Sequence, residues 1–169
     1  YRVGLADGRS VIVKLYAPTV GRNAITEGTA MRAAEAAVPV PTVLGCGTTS
    51  TDGATALITS DLGTCTLGTA VRTRRVPHTQ ALKDLGDILG RLHRAPLSPS
   101  VKRRPFVDFV SSLTRRCPAG LMDQIAPALA LIADTPDTAP TVWCHGDPHF
   151  DNVVLSSPRD TRHLVDFTD

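Results

Sequence analysis

Two apolar-rich runs flank a polar turn over the first sixteen positions, and the spacing then turns helical. Tyr1 to Leu5 reads as one strand, Asp7-Gly8 as a tight-turn signal, and Ser10-Val11-Ile12-Val13-Lys14-Leu15-Tyr16 as the return arm of a β-hairpin. Pro18 and Gly21 interrupt the run, and an alanine-rich helix is predicted from about Ala24 to Ala37, with Ile25 and Met31 on its apolar side. Pro39 and Pro41 end it. Two further strands are predicted at Thr42 to Gly47 and Ala54 to Thr59.

Beyond Asp61-Leu62-Gly63 the period changes. Leu82, Leu85, Ile88, Leu89 and Leu92 form a helical stripe from about His78 to Arg94, stopped by Pro96. Helices are expected near Phe106–Arg116 and Leu121–Ala133, split by Pro118 and Gly120. Thr141 to Cys144 reads as a short strand, and Val153-Val154-Leu155 and His163-Leu164-Val165 as a hairpin around the turn Ser156 to Asp160. The pattern thus predicts a small β-rich lobe with one helix (residues 1–60) and a mainly helical lobe (residues 61–169), with the boundary near residues 59–64.

Composition narrows the class. A chain of 169 residues with 42% hydrophobic and 20% charged residues suits a globular protein with a real core. A net charge of +2, with basic runs that no aromatic residue interleaves, argues against nucleic acid. No apolar run approaches the ~20 residues of a membrane-spanning helix, and neither a membrane nor an obligate protein partner is indicated. Cys46, Cys65, Cys117 and Cys144 show no CxxC pair and read as free thiols, which suits a reducing, cytoplasmic setting. The chain opens on Tyr1, inside a strand, so its start is expected to lack residues of the natural N-terminus.

The candidate chemistry lies in the last 25 residues, in His145-Gly146-Asp147-Pro148-His149-Phe150-Asp151-Asn152 followed by Leu164-Val165-Asp166-Phe167. An Asp, an Asn five residues on, and a second Asp after a hairpin is how kinase-type folds set a base and two metal ligands around a phosphate. Asp147, on a loop after a strand, is placed to accept a hydroxyl proton. Asn152 offers a hard, neutral amide oxygen for Mg²⁺, and Asp166 an anionic ligand. Pairing of the hairpin arms would return Asp166 close to Asn152. Lys14, in mid-strand among apolar neighbours, is either an edge lysine that snorkels or the lysine that holds nucleotide phosphates. In the second case Glu27 on the next helix is its ion-pair partner. Glu35 competes for that role but lies close to the helix end at Pro39.

Two other readings bear on the same residues. His145, Asp147 and His149 form H-x-D-x-H, which could place three ligands on the metal of a hydrolase. Gly146 and Pro148 break the strand which that alignment needs, and Asn152 and Lys14 are left without a task. A non-catalytic nucleotide-binding relative is the second alternative, although the cassette residues are all intact.

Together these residues resemble the aminoglycoside phosphotransferase family of kinase-like small-molecule phosphotransferases. The resemblance runs through Ser10 to Tyr16, Val38 to Leu44, the Leu85-to-His93 helix ending in Leu-His, His145 to Asn152, and Val165-Asp166-Phe167. It implies an α+β, bilobal protein-kinase-like fold, with a small antiparallel N-lobe sheet and one helix, and a mainly helical C-lobe. It also implies transfer of a γ-phosphate from ATP (or GTP), with Mg²⁺, to a hydroxyl of a small molecule. Asp147 would be the base, Asn152 and Asp166 the magnesium ligands, and Lys14 and Glu27 the nucleotide-binding pair. Leu57 to Leu62 would be the hinge that meets the base, and His145 would brace the catalytic loop. Thr168 stands where many members have Gly. Members begin with a strand and phosphate-covering loop before this hairpin and continue past Asp166, so the chain is expected to be a fragment and a poor enzyme by itself.

Overall fold

The computed structural model describes residues 1–50, 52–97, 118–133, 141–156 and 161–167. Four antiparallel strands form one sheet: β1 (Arg2–Gly4), β2 (Ser10–Tyr16), β3 (Val43–Thr48) and β4 (Thr55–Ser60), in the order β1-β2-β4-β3. The expected Asp7-Gly8 turn joins β1 to β2, with Gly8 at φ 82°, a conformation that glycine enters without a Cβ penalty. Lys14 therefore lies on an internal strand, paired with Leu57 of β4 on one side, and an edge position is ruled out.

Helix α1 spans Gly21–Ala34, three residues earlier at each end than the sequence suggests. A short 3-10 turn, Pro18–Val20, leads straight into it, so Gly21 begins the helix and does not break the chain. Its buried stripe is Gly21, Ala24, Glu27, Gly28 and Met31, whereas Ile25 is 58% exposed. Small residues define that face because the helix lies close on β4. A Cβ at Gly28 would sit 3.1 Å from the Leu57 side chain, and one at Gly21 would sit 2.4 Å from Thr55 Oγ1.

A six-residue helix that the pattern did not announce, α2 (Leu67–Arg72), follows the sheet. Thr66 caps it by accepting the Thr69 N–H. Helix α3 (His78–Arg94) matches the expected span, and Arg91 and Arg94 in its last turn are the cations that suit a helix C-terminus. Ala81, Ile88 and Leu92 are its buried positions, and Leu82, expected in the stripe, is 52% exposed. The helix expected near Phe106–Arg116, Cys117 and the turn at 157–160 lie outside the described residues. Helix α4 (Ala119–Ala133) includes Pro127. The strand expected at Thr141 to Cys144 does not form. That segment is anchored by its side chain instead, with Trp143 buried and its indole N–H donating to the Pro96 carbonyl at 3.0 Å.

The chain ends on the hairpin β5 (Val153–Ser156) and β6 (Thr161–Leu164), in which Val153 faces Leu164. Two compact units result. Residues 1–101 with 142–169 form one, and residues 102–141, which carry α4, form the other. The sheet, α1, α3 and the final hairpin all belong to the first unit. A single apolar core runs through that body, from Met31 and Val38 through Leu67, Ile88 and Leu92 to Trp143, Val153, Leu164 and Phe167. No helix among the described residues is long and apolar enough to cross a membrane.

Candidate active site

Strand periodicity builds the first half of the site. Ile12, Lys14 and Tyr16 are two residues apart on β2 and share a face. The Lys14 Nζ donates to Glu27 Oε1 at 2.6 Å, and the Tyr16 hydroxyl donates to Glu27 Oε2. Both carboxylate oxygens of Glu27, a residue 4% exposed, are thus held by β2. Glu35 is exposed and takes no part, as the sequence reading preferred. Tyr16 was not singled out there, although its two-residue spacing from Lys14 was a usable signal. Burial, and then the Glu27 carboxylate, push the Tyr16 hydroxyl well above its ordinary pKa, so it stays protonated and donates.

The second half meets Lys14 from 152 residues away: Lys14 Nζ lies 2.5 Å from Asp166 Oδ1. Asp166 follows β6 in a left-handed conformation, φ 65°. Asp tolerates that region better than most residues. The turn leaves its side chain 47% exposed while the next residue, Phe167, is buried against His145 with ring centroids 4.7 Å apart. For Lys14, burial pulls the ammonium pKa down, but the bonds to Asp166 and Glu27 outweigh it and the net direction is up. Lys14 is therefore a fixed cation between two carboxylates.

The residues of the His145-to-Asn152 loop are held by backbone as much as by side chains. His145, 2% exposed, approaches the Val165 carbonyl with Nε2 at 2.7 Å and the Asp147 N–H with Nδ1 at 3.4 Å. An N–H must meet an acceptor, so Nδ1 is bare and Nε2 carries the proton. Burial lowers the His145 pKa below its ordinary value, which keeps the ring neutral. Asn152, 7% exposed, donates its amide Nδ2 to the Asp147 carbonyl at 3.0 Å. Because that partner can only accept, the amide oxygen is the atom left for a cation. Asn152 also accepts the Val165 N–H on its carbonyl at 3.0 Å, which joins this loop to the strand end bearing Asp166. Asp147 is thus fixed through its own N–H and carbonyl, while its carboxylate projects outward, 58% exposed, with His149 Nε2 at 3.4 Å from Oδ2.

Asp151, the cassette residue before Asn152, is engaged within the protein. Arg72 and Thr66 bind its carboxylate, and Arg72 first among them draws its pKa below the usual range. Nothing in sequence order pointed to that contact, which spans 79 residues.

Lys14, Asn152 and Asp166 line one cleft of about 240 Å³ with Ile12, Met31, Pro41, Thr59, Ser60, Leu62, Val154 and Val165. The cleft is charged where the cassette lies and apolar where β4 leads into Leu62. A larger open depression, about 510 Å³, is walled by Asp84, Asp87, Arg91, Arg94 and Arg162 and contains no cassette residue. The smaller cleft is the candidate site, because Lys14, Asn152 and the Asp166 carboxylate converge there. Its donors suit a hard divalent cation such as Mg²⁺: one carboxylate, one amide oxygen, and no sulfur or free imidazole. The H-x-D-x-H arrangement does not converge, because both ring nitrogens of His145 are used within the protein. No trio of His, Cys, Asp or Glu able to hold a metal occurs among the described residues. Cys46, Cys65 and Cys144 are free thiols, as expected.

A sheet backed by one helix, a lysine–glutamate pair and an H-G-D-x-x-x-x-N loop followed by a hairpin aspartate together define a protein-kinase-like fold. The chain belongs to the phosphotransferase enzyme family, whose pattern it matches over residues 1–169. It is similar in fold to an aminoglycoside-3'-phosphotransferase of type VIII, at 24% identity and a TM-score of 0.68, covering 99% of this chain and 65% of that one. A second likeness is to the aminoglycoside phosphotransferase APH(3'')-Id from Streptomyces rimosus, solved with ADP and streptomycin. There the identity is 20% and the TM-score 0.64, with 96% of this chain and 66% of that chain covered. A third is to a putative fructosamine-3-kinase from Haemophilus somnus, at 13% identity and a TM-score of 0.62, with 99% and 65% covered. The chain thus spans about 65% of the length of these structures. Comparison with curated proteins gives no match.

Proposed function

We propose that this chain carries the nucleotide site and catalytic loop of an ATP- (or GTP-) and Mg²⁺-dependent phosphotransferase that acts on a hydroxyl group of a small molecule. The observation that carries the proposal is the convergence of Lys14, Glu27 and Asp166 in the cleft that Asn152 also lines. Lys14 and Asp166 are opposite charges from distant parts of the chain, and a nucleotide triphosphate with its metal is a ligand that uses both. Asp166 and the Asn152 amide oxygen would hold the metal, which neutralises phosphate charge when bound. Lys14, aimed by Glu27, would bind phosphate oxygens. The apolar end of the cleft, with Ile12, Pro41, Leu62, Val154 and Val165, would take the base, and the backbone between Leu57 and Leu62 would meet its edge.

Asp147 would hold the acceptor hydroxyl in line and receive its proton. Its carboxylate is exposed and its backbone is fixed at two points, which is the combination that a positioned base needs. Neutral His145 would brace this loop and take no proton itself. The acceptor is proposed only as a class, an alcohol of aminoglycoside-like or other small-molecule type, because the likeness to the solved phosphotransferases carries the fold and not their substrates.

The test is Mg²⁺-dependent release of ADP by the complete protein over a panel of hydroxyl compounds. Asp147→Asn is expected to lower turnover about 100-fold or more, the usual scale for a lost base, with nucleotide affinity little changed. Turnover in Asp147→Asn equal to the parent's would remove Asp147 from the role of base.

A further inference from the structure

Helix α2 reaches into the catalytic loop at one point, Asp151, the residue before Asn152. Both carboxylate oxygens of Asp151 are occupied. Arg72 Nη2 donates to Oδ1 at 3.1 Å and Nη1 to Oδ2 at 3.2 Å, a two-pronged contact of fixed geometry. Thr66 Oγ1 donates to Oδ1 at 2.8 Å. The seat is also cut to shape: a Cβ on Gly68 would fall 2.2 Å from Asp151 Oδ1, so only glycine lets the carboxylate settle on the first turn of α2. The same stretch is tied to the hairpin by the Leu155 N–H on the Cys65 carbonyl at 2.8 Å and by a bridge between Thr66 and Val154.

Asp151 is the middle residue of the 3-10 turn Phe150–Asn152. Its own N–H donates to His149 Nδ1 at 3.2 Å, and the next N–H, that of Asn152, to the His149 carbonyl at 3.0 Å. The orientation of Asn152 therefore depends on a turn that α2 holds from outside. We propose that Arg72, acting through Asp151, is a positioning residue for Asn152, and so sets how well the site takes its divalent cation. The inference rests on the phosphotransferase reading above.

Stability alone does not account for this arrangement. Arg72 and Asp151 have side chains 63% and 48% exposed, and exposed ion pairs contribute little to folding. A held turn next to a metal ligand has a different consequence, since partners that orient a ligand typically change metal affinity 10- to 100-fold when lost.

The experiment is titration of the full chain with Mn²⁺ at saturating ADP, following free Mn²⁺ by its electron spin resonance, with thermal unfolding recorded alongside. Arg72→Ala is expected to weaken Mn²⁺ binding about tenfold while the unfolding midpoint stays close to the parent's. Arg72→Lys, which keeps the charge but not the two-pronged geometry, should fall between, and keeps the test open should Arg72→Ala unfold. In the double variant Arg72→Ala/Asp151→Asn, the loss should equal that of Arg72→Ala alone. Parent-like Mn²⁺ affinity in the folded Arg72 variants would overturn the proposal and leave the phosphotransferase reading standing. Additive losses in the double variant would also overturn it, since Arg72 would then act by another route. A parent protein that binds no Mn²⁺ with ADP would overturn the phosphotransferase reading, and this inference with it.

Discussion

At the scale of single residues, the site depends on groups whose charge is set by their neighbours. Lys14 is kept cationic by two carboxylates although burial opposes it, and Tyr16 is kept protonated so that Glu27 presents one oxygen to Lys14. His145 is the opposite case, a ring held neutral by burial between the Asp147 N–H and the Val165 carbonyl. Its pKa is lowered in the folded state, so the unfolded chain takes up the proton first as pH falls. The stability it contributes is full above the ordinary imidazole pKa near 6.5 and is lost as pH drops below that value toward the folded one. Urea midpoints should therefore fall between pH 7.5 and 5.5, and fall less in His145→Gln. An equal fall in both proteins would show that other groups govern the acid side.

Elements matter through how closely they approach. Helix α1 carries Glu27 to β2 only because its inner face is made of small residues: Gly21 and Gly28 lie against Thr55 and Leu57 of β4. An alanine Cβ at Gly21 would lie 2.4 Å from the oxygen of buried Thr55, so the helix must shift outward. Gly21→Ala is expected to destabilise the fold by about 1–3 kcal/mol, the usual range for overpacking, and to raise the nucleotide KM as Glu27 moves off Lys14. Denaturant midpoints and nucleotide titration check both. A more stable Gly21→Ala protein would mean that its gain in helix propensity exceeds the strain.

At the scale of the whole molecule, the cleft and the core belong to the same unit, residues 1–101 with 142–169. Leu92 on α3 is fully buried in the cluster that contains Met31 on Glu27's helix, Trp143 just before the His145-to-Asn152 loop, and Leu164 and Phe167 on either side of Asp166. Removing its side chain leaves a cavity in that shared cluster. Leu92→Ala should cost about 2–5 kcal/mol and weaken nucleotide binding, though no atom of Leu92 lines the cleft. Unchanged nucleotide affinity in a destabilised Leu92→Ala would show that the site is held independently of this core.

Local order was legible in the chain. The Asp7-Gly8 hairpin, the span of α3 and the five-residue interval from Asp147 to Asn152 depend on turn chemistry and periodicity that act between near neighbours. The resemblance carried by those residues led to the family that the chain belongs to. Other features depended on which elements share a core. Ile25 and Leu82 fit a helical stripe yet lie outside, because the sheet and the neighbouring helices accept only a narrow face. Helix α2 is too short for its period to register, and the expected strand at Thr141 to Cys144 gave way to the anchoring of Trp143. The contacts of Lys14 with Asp166 and of Arg72 with Asp151 join residues 152 and 79 positions apart; the resemblance set the first pair about one nucleotide, and nothing in the chain announced the second. Spacing along the chain carries no signal over such intervals, so only packing in three dimensions decides them.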